Sequence, residues 1–247
     1  MYHQVKTQGF LSHFVKCFWK YAYNGGQPIP YTIIPDGCFD LIIEFQQDQL
    51  TKVKLTGVWT QPVDITILPQ TKMFALRFKL LAADYLLRYN IKPILNTSVS
   101  LPFDFWGIDQ MQFDDFDFAV STMSSRLNLA LKQFQNIDTR KLKLFEASYS
   151  GEVQSVGAVA DEVHWNSRQI NRYFQDRFGF PLKTFLSIIR AHGTYREIAK
   201  GNLHPTPKYF DQSHFVKEIK KYTGVTPHEL HKFKNDRFLQ LSTIKPD

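Results

Sequence analysis

Two stretches forty-five residues apart constrain this chain more than any other feature: "WNSRQINRYFQDRFG" at 165–179 and "FDQSHFVKEIKKYTG" at 210–224. Aligned on their final glycines, Asn166 meets Asp211, Ile170 meets Phe215, Arg172 meets Lys217 and Phe174 meets Ile219. An Asn or Asp at the start is an N-cap residue, because its side-chain oxygen can accept an orphan N–H of the first turn. A Gly at the end supplies the left-handed residue that closes a helix. The spacing therefore predicts two helices of one design, about 166–178 and 211–223. Each buries an apolar face (Ile170, Tyr173, Phe174, Phe178; Phe215, Ile219, Tyr222) and turns a polar, basic stripe outward.

The segment before the first copy, "SVGAVADEVHWN", supplies a surface for it to dock on. Ser155 is a predicted N-cap, Val156, Val159, Ala160 and Val163 form a short apolar face, and the small residues permit close approach. A short helix, a turn at His164-Trp165 and a helix with a polar start is a helix-turn-helix pattern, whose second helix presents its first residues to base edges in the major groove. Ser167, Arg168, Gln169, Asn171 and Arg172 are the candidate DNA contacts on the first copy; Gln212, Ser213 and Lys217 are those on the second. Arg can bond guanine through two donors and Asn can do the same for adenine. Lys183, Lys220 and Lys221 are candidates for phosphate contact, which adds affinity without sequence information. His214 is expected to pack or cap. Charge agrees: of the net +7, +5 resides in residues 151–247. "LKTFLSIIRAHGTYREIAK" joins the copies as one helix, with Leu182, Phe185, Ile188 or Ile189, and Ile198 inward.

The first hundred residues read as β-rich. "HFVKCFWKYAY", "YTIIPDGCFDLIIEF", "VKLTGVWT", "VDITIL" and "KMFALRFKL" are short apolar runs with close turns, and in the last Met73, Ala75 and Arg77 alternate with Phe74, Leu76 and Phe78. Pro35-Asp36-Gly37 reads as a hairpin turn, which also accounts for Asp36 and Asp40. "LLAADYLLRYN" has helical spacing, the Asp- and aromatic-rich "VSLPFDFWGIDQMQFDDFDF" reads as a loop, and residues 116–135 and 138–149 as two helices. The expected fold is α+β: a β-rich N-terminal domain (small antiparallel sheet or barrel, 1–112), a helical connector (113–150), and an all-α double helix-turn-helix domain (151–247).

"FDQSHFVKEIKKYTGVTPHEL" resembles the C-terminal signature of AraC/XylS-type transcription regulators, in which a Gly-Phe/Tyr-x-Asp-Gln-Ser-x-Phe element opens the second recognition helix and Gly-x-Thr-Pro closes it. "SVGAVADEVHWNSRQINRYFQDRFG" resembles their first helix-turn-helix, where a Ser-x-x-x-Leu-x-Arg-x-Phe core is usual. "FVKCFW", "IIPDGCFDLII" and "GVWTQP…FALRF" resemble an uncharacterised β-rich domain often fused to that module. The resemblance implies a bacterial, cytoplasmic activator-type regulator that reads successive major-groove segments of double-stranded DNA. It further implies RNA polymerase as a partner, homodimerisation, and a small-molecule effector at the N-terminal domain. Two departures stand out. His164 occupies the usual Gly of the first turn, and only "NLHPTPKYF", with Pro205 and Pro207, stands where the family has a supporting helix before the second recognition helix.

Other classes have little in the sequence to carry them. No Gly-x-Ser-x-Gly, phosphate-binding Gly loop or His-Glu-x-x-His occurs, so no catalytic residue, cofactor or metal is expected. Cys17 and Cys38 are too few for a disulfide framework and are expected as reduced thiols, although a redox pair stays open. No run approaches the ~18 apolar residues of a membrane span. The competing reading is a protein-interaction scaffold with a degenerate second helix-turn-helix; an enzyme in the β domain ranks third.

Overall fold

The computed structural model describes residues 2–134, 136–153, 155–204 and 209–232. Eight strands come first: β1 (Tyr2–Lys6), β2 (Val15–Tyr23), β3 (Ile29–Ile33), β4 (Phe39–Gln46), β5 (Gln49–Thr56), β6 (Val63–Ile67), β7 (Thr71–Phe78) and, later, β8 (Ser98–Leu101). Six of them form an antiparallel sheet in the order β1-β2-β7-β4-β5-β8, and β3 and β6 pair as a separate ribbon. The β-rich N-terminal region followed by helices is the α+β arrangement expected.

The alternation in β7 separates two buried layers. Phe74, Leu76 and Phe78 join Phe18, Leu41, Ile43, Val53 and Leu55 on the face that carries the helices. Ala75 lies on the other face with Trp19, Ile42 and Ile67, and Met73 packs against that cluster beneath the β3–β6 ribbon. The strand is therefore covered on both faces rather than half-exposed as the alternation predicts.

The helical part comprises α1 (Ala82–Tyr85), α2 (Phe116–Lys132), α3 (Thr139–Ser150), α4 (Val156–Val163), α5 (Ser167–Phe178), α6 (Leu182–Ala199), α7 (Gln212–Thr223) and α8 (Pro227–Lys232). "LLAADYLLRYN" forms only the single turn of α1, since Arg88 takes a left-handed φ of 50° that no helix continues through. In α2 the stripe Ala119, Met123, Leu127 and Leu131 is buried against the sheet-side core. Phe145 of α3 sits at the junction, with ring centroids 5.8 Å from Phe174, 6.1 Å from Phe178 and 6.5 Å from Phe185. One apolar core thus runs from the sheet into α5 and α6.

Pro35-Asp36-Gly37 is not a hairpin turn. β3 pairs with β6 while β4 pairs with β5 and β7, so the segment carries the chain from ribbon to sheet. Turn chemistry is local and cannot tell a reversal within one sheet from a passage between two. Asp36 and Asp40 are accordingly not hairpin residues: both face Arg77, at 3.3 Å and 3.0 Å. The Gly37 carbonyl accepts a 2.7 Å hydrogen bond from Tyr149 Oη, which in turn accepts one from the Leu80 N–H at 3.0 Å. Ile34 packs with Ile188, Tyr195, Phe215 and Tyr222, joining this crossover to α6 and α7.

Cys17 and Cys38 are both buried and free. Cys17 and Asp40 stand opposite Arg77 from β2 and β4 on either side of β7, so Cys17 in β2 and Cys38, immediately before β4, lie on opposite sides of a whole strand. Two inter-strand spacings amount to about 10 Å, beyond the ~7 Å limit for a disulfide. Burial pushes the Cys38 thiol up to about 12, so it is held as an inert thiol.

Candidate nucleic-acid interface

The helix-turn-helix is assembled from local chemistry at each joint. The Ser155 hydroxyl accepts the Ala158 N–H at 3.1 Å and starts α4. His164 ends it in the left-handed region, φ 51° and ψ 43°, with its N–H directed to the Ala160 and Asp161 carbonyls. Histidine adopts that region more readily than most residues, so it can replace the glycine of such a turn. The Trp165 N–H closes the turn on the Ala160 carbonyl at 3.1 Å. Asn166 Oδ1 then accepts the Arg168 N–H at 2.8 Å, and Gly179, φ 85°, terminates α5. Ile170, Phe174 and Phe178 anchor one face in the core.

The opposite face presents the predicted contacts. Asn166, Ser167, Arg168, Gln169 and Arg172 line one shallow concavity around the first turns of α5. Arg168, Gln169 and Arg172 are exposed, and among the described residues neither arginine has a carboxylate partner. The positive end of the helix macrodipole adds to their charge, a combination that attracts phosphate. Arg140 lies beside them, its guanidinium 5.4 Å from the Trp165 ring centroid, and it lines the adjoining hollow with Gln169 and Arg172. The sequence did not flag Arg140, which enters the surface from α3. Its charge is shared with Asp138, 3.0 Å away.

Asn171 is placed differently from its neighbours. Its Oδ1 accepts the Leu182 N–H at 3.2 Å and so caps the start of α6 from across the helix junction. Its side-chain amide acceptor is thus engaged inside the protein rather than directed outward with Arg168 and Arg172.

The C-terminal end of α5 is fastened to the β-rich region. Asp84 in α1 receives Arg177 Nε at 2.5 Å, Tyr173 Oη at 2.8 Å and Lys141 Nζ at 2.5 Å. Arg177 also donates to the Ala83 carbonyl at 3.0 Å, and its own carbonyl accepts the Ile91 N–H at 3.1 Å. Burial alone would raise the Asp84 carboxyl; hydrogen bonds and charge from Lys141, and hydrogen bonds from Arg177 and Tyr173, outweigh it and hold the group below the usual carboxylate range.

The second helix, α7, repeats the caps: Asp211 Oδ1 accepts the His214 N–H at 2.7 Å, and Gly224 closes the helix at φ 77°. Phe215, Ile219 and Tyr222 pack on Ile188, Ala191, Tyr195 and Ile198 of α6. Arg190 of α6 binds Glu218 of α7 through two contacts at 2.7 and 2.5 Å. Ser213 and Lys217 are exposed, whereas Gln212 Nε2 donates to the Leu203 carbonyl at 3.1 Å and braces the incoming chain. The His214 ring stands edge-on to Tyr209 at 5.5 Å, a packed position as expected. Residues 200–204 and 209–211 contain no helix; Pro205 and Pro207 lie outside the described residues. α5 and α7 therefore pack on successive halves of the eighteen-residue α6.

Residues 3–100 match the profile of a family described as a domain of unknown function, DUF6597. No curated protein matches the chain. Among solved structures, the chain is similar to ToxT from Vibrio cholerae. An apo single-residue variant of ToxT matches with a TM-score of 0.43 and 10% identity, over 87% of this chain and 97% of that one. A second crystal form gives 0.43 and 13%, over 87% and 98%. ToxT bound to (E)-4-(8-methylnaphthalen-1-yl)but-3-enoic acid gives 0.40 and 12%, over 94% and 97%.

Proposed function

We propose that this chain is a sequence-specific DNA-binding transcription regulator of the AraC/XylS type. The observation that carries this reading is the α4–His164–α5 unit, which holds Arg168, Gln169 and Arg172 outward at the start of a capped helix, the two arginines without a carboxylate partner among the described residues. In this role Ser167, Arg168, Gln169 and Arg172 meet base edges and phosphates, with Asn171 fixing the helix junction behind them. Ser213 and Lys217 extend the contact from α7, and Gln212 orients that helix. The chain divides by role into a sensing and dimerising part at 1–112, a connector at 113–150 and a DNA-binding part at 151–247. A cytoplasmic bacterial activator that pairs with a second copy and engages RNA polymerase is the corresponding biological setting, and a small effector bound by the β-rich part is its input. Among the described residues no helix is long and apolar enough to cross a membrane and no cluster of three or more His, Cys, Asp or Glu could hold a metal.

Selection of bound duplexes from a random library at modest salt tests this. The expected result is one enriched motif whose affinity falls steeply as salt rises. Failure to enrich any motif would overturn the DNA reading in favour of a protein-interaction scaffold.

A further inference from the structure

Asn24-Gly25 opens the connector between β2 and β3, residues 24–28, where the chain leaves the main sheet for the ribbon. It is the only Asn-Gly pair in the sequence. The ribbon is also fastened here. Gln70, in the turn that brings β6 back to β7, donates its Nε2 hydrogen to the Asn24 carbonyl at 3.1 Å. Two of the passages between sheet and ribbon thus meet at one peptide oxygen. Tyr23 Oη closes the connector by donating to the Gln27 carbonyl at 2.5 Å. A Cβ at position 25 would overlap that phenol, so with the ring in this place only glycine can follow Asn24. No side chain of residue 25 screens its own backbone nitrogen.

The asparagines differ in how their amides are held. Asn96 accepts the Thr60 N–H through Oδ1 at 2.7 Å and donates from Nδ2 to Thr60 Oγ1 at 3.0 Å. The Oδ1 atoms of Asn90, Asn166 and Asn171 accept the backbone N–H groups of Lys92, Arg168 and Leu182. The Asn24 side chain is exposed, lies outside any helix or strand, and makes no hydrogen bond among the described residues. Asp36-Gly37 is a contrast of the same kind. Its carboxylate is buried and accepts the Cys38 N–H at 3.0 Å. A side-chain carbonyl carbon can be reached by the next backbone nitrogen only if the side chain is free to turn and the backbone is free to follow. Among the described residues Asn24 meets both conditions with a glycine after it, and Gly25-Gly26 supplies the backbone freedom.

We infer that Asn24 is a self-modification site, converting in water to aspartate and isoaspartate, and that the isoaspartate form loosens the β3–β6 ribbon. The Gly25 nitrogen gives its proton to solvent and attacks Asn24 Cγ. The new N–Cγ bond closes a succinimide ring while the Cγ–Nδ2 bond breaks, and the amide leaves as ammonia after taking a proton from water. A water molecule then opens the ring. Addition at Cγ breaks the new bond and restores an ordinary peptide with a carboxylate side chain. Addition at the main-chain carbonyl carbon breaks the original peptide bond instead, so the chain runs through Cβ and Cγ and is one atom longer. The former peptide carbonyl is then a carboxylate on a branch. Water is the co-reactant, and nothing is oxidised or reduced. The oxygen that Gln70 binds is the one this rearrangement takes out of the main chain. Slack therefore enters where the ribbon is fastened, above the space lined by Trp19, Asp40, Glu44, Lys54 and Arg77. The inference does not depend on the DNA contacts.

The test is incubation of the full chain at neutral pH and physiological temperature, with timed samples digested, mass-mapped and assayed for isoaspartate by enzymatic methyl transfer. The peptide holding Asn24 should gain the mass of an amide-to-acid exchange, at a rate that climbs with pH, and should carry isoaspartate. It should convert about tenfold or more faster than the peptide holding Asn96, whose amide must first give up its hydrogen bonds. Asn24→Gln should abolish the signal, because its longer side chain would have to close a larger ring. Converted protein, separated by its added negative charge, should exchange the Ile29–Ile33 amides faster by about threefold or more, with those of α5 unchanged. An Asn24 that stays intact in the folded chain while the urea-unfolded chain converts overturns the assignment. Conversion of Asn96 at the same rate as Asn24 does the same. Equal ribbon exchange in fresh and converted protein overturns the link to the ribbon.

Discussion

Arg177 Nε lies 2.5 Å from Asp84 Oδ1, so the helix that presents Arg168 and Arg172 is tied at its far end to the only turn of α1. Helix α5 is therefore oriented by the β-rich region and not by its own helix-turn-helix alone. Asp84→Asn removes the charge that Arg177, Lys141 and Tyr173 all address, and should cost about 2–3 kcal/mol in urea unfolding. Because the Asp84 carboxyl is depressed in the folded protein, its contribution is fully present above the ordinary aspartate value of about 3.9 and is lost as pH falls through the lower folded value. The variant should accordingly show a flatter loss of stability below about pH 4. Parallel acid limbs for the two proteins would count against the clasp.

Two arginines five residues apart on α5 should behave oppositely. Arg172 is exposed and has no carboxylate partner among the described residues, and Arg172→Ala should weaken binding to a selected duplex by about 1–3 kcal/mol and relax preference at one position, with unfolding stability unchanged. Arg177→Ala should lower stability while leaving the ranking of duplex sequences as it was, since its guanidinium is held by Asp84 and the Ala83 carbonyl. Competition binding across single-base variants of the selected site, with denaturation of the same samples, separates the two. Loss of sequence preference in Arg177→Ala alone would reverse the assignment.

These contrasts mark what could be read along the chain. Helix ends were legible because caps are local: Ser155, Asn166, Asp211, Gly179 and Gly224 each act on groups two to five residues away. Strands β2, β4, β5, β6 and β7 declared themselves by apolar content, whereas β1 and β8 did not. Those two are short edge strands with mixed polarity and only one partner each. The Asp84–Arg177 pair spans ninety-three residues, and no local pattern announces it. Asn171 shows the same limit within the candidate site. Its helical position suggested an outward side chain, and the identity of its partner, the Leu182 N–H, depends on how α6 leaves the turn. The cavity between the sheet and the β3–β6 ribbon was hidden for a further reason: Asp40, Glu44, Lys54 and Arg77, which line it, look like solvent-facing positions until the ribbon is known to cover them.

His192 on α6 gives a pH dependence of its own. It faces Lys16 from β2, Asp36 from the crossover and Arg77 from β7; burial first, then Lys16, push its pKa down to about 3, Asp36 opposing and Arg77 adding to the shift. The unfolded chain takes up a proton near the ordinary histidine value of about 6.5 while the folded one does not, so stability falls as pH drops from about 6.5 towards 3. His192→Gln should reduce that slope between about pH 7 and 4.5, a range above the Asp84 transition. Urea midpoints that fall equally in both proteins across this range would sink the assignment.

Gly37 is where the ribbon-to-sheet crossover presses on α6. Its φ of +74° lies in the left-handed region, and a Cβ there would stand 2.6 Å from Ile189 Cδ1 and 3.0 Å from Phe185 Cε2. Gly37→Ala should therefore destabilise by about 1–3 kcal/mol, combining backbone strain with overpacking. The two contributions separate in a double-mutant cycle. Ile189→Ala alone opens a cavity and is also destabilising, yet it removes Cδ1, the atom the new methyl would meet most closely. The double variant should thus be more stable than the sum of the single losses predicts, by about 0.5–2 kcal/mol. Simple additivity would show that the crossover does not press on Ile189, leaving strain at φ +74° and the Phe185 contact to account for the effect of Gly37→Ala.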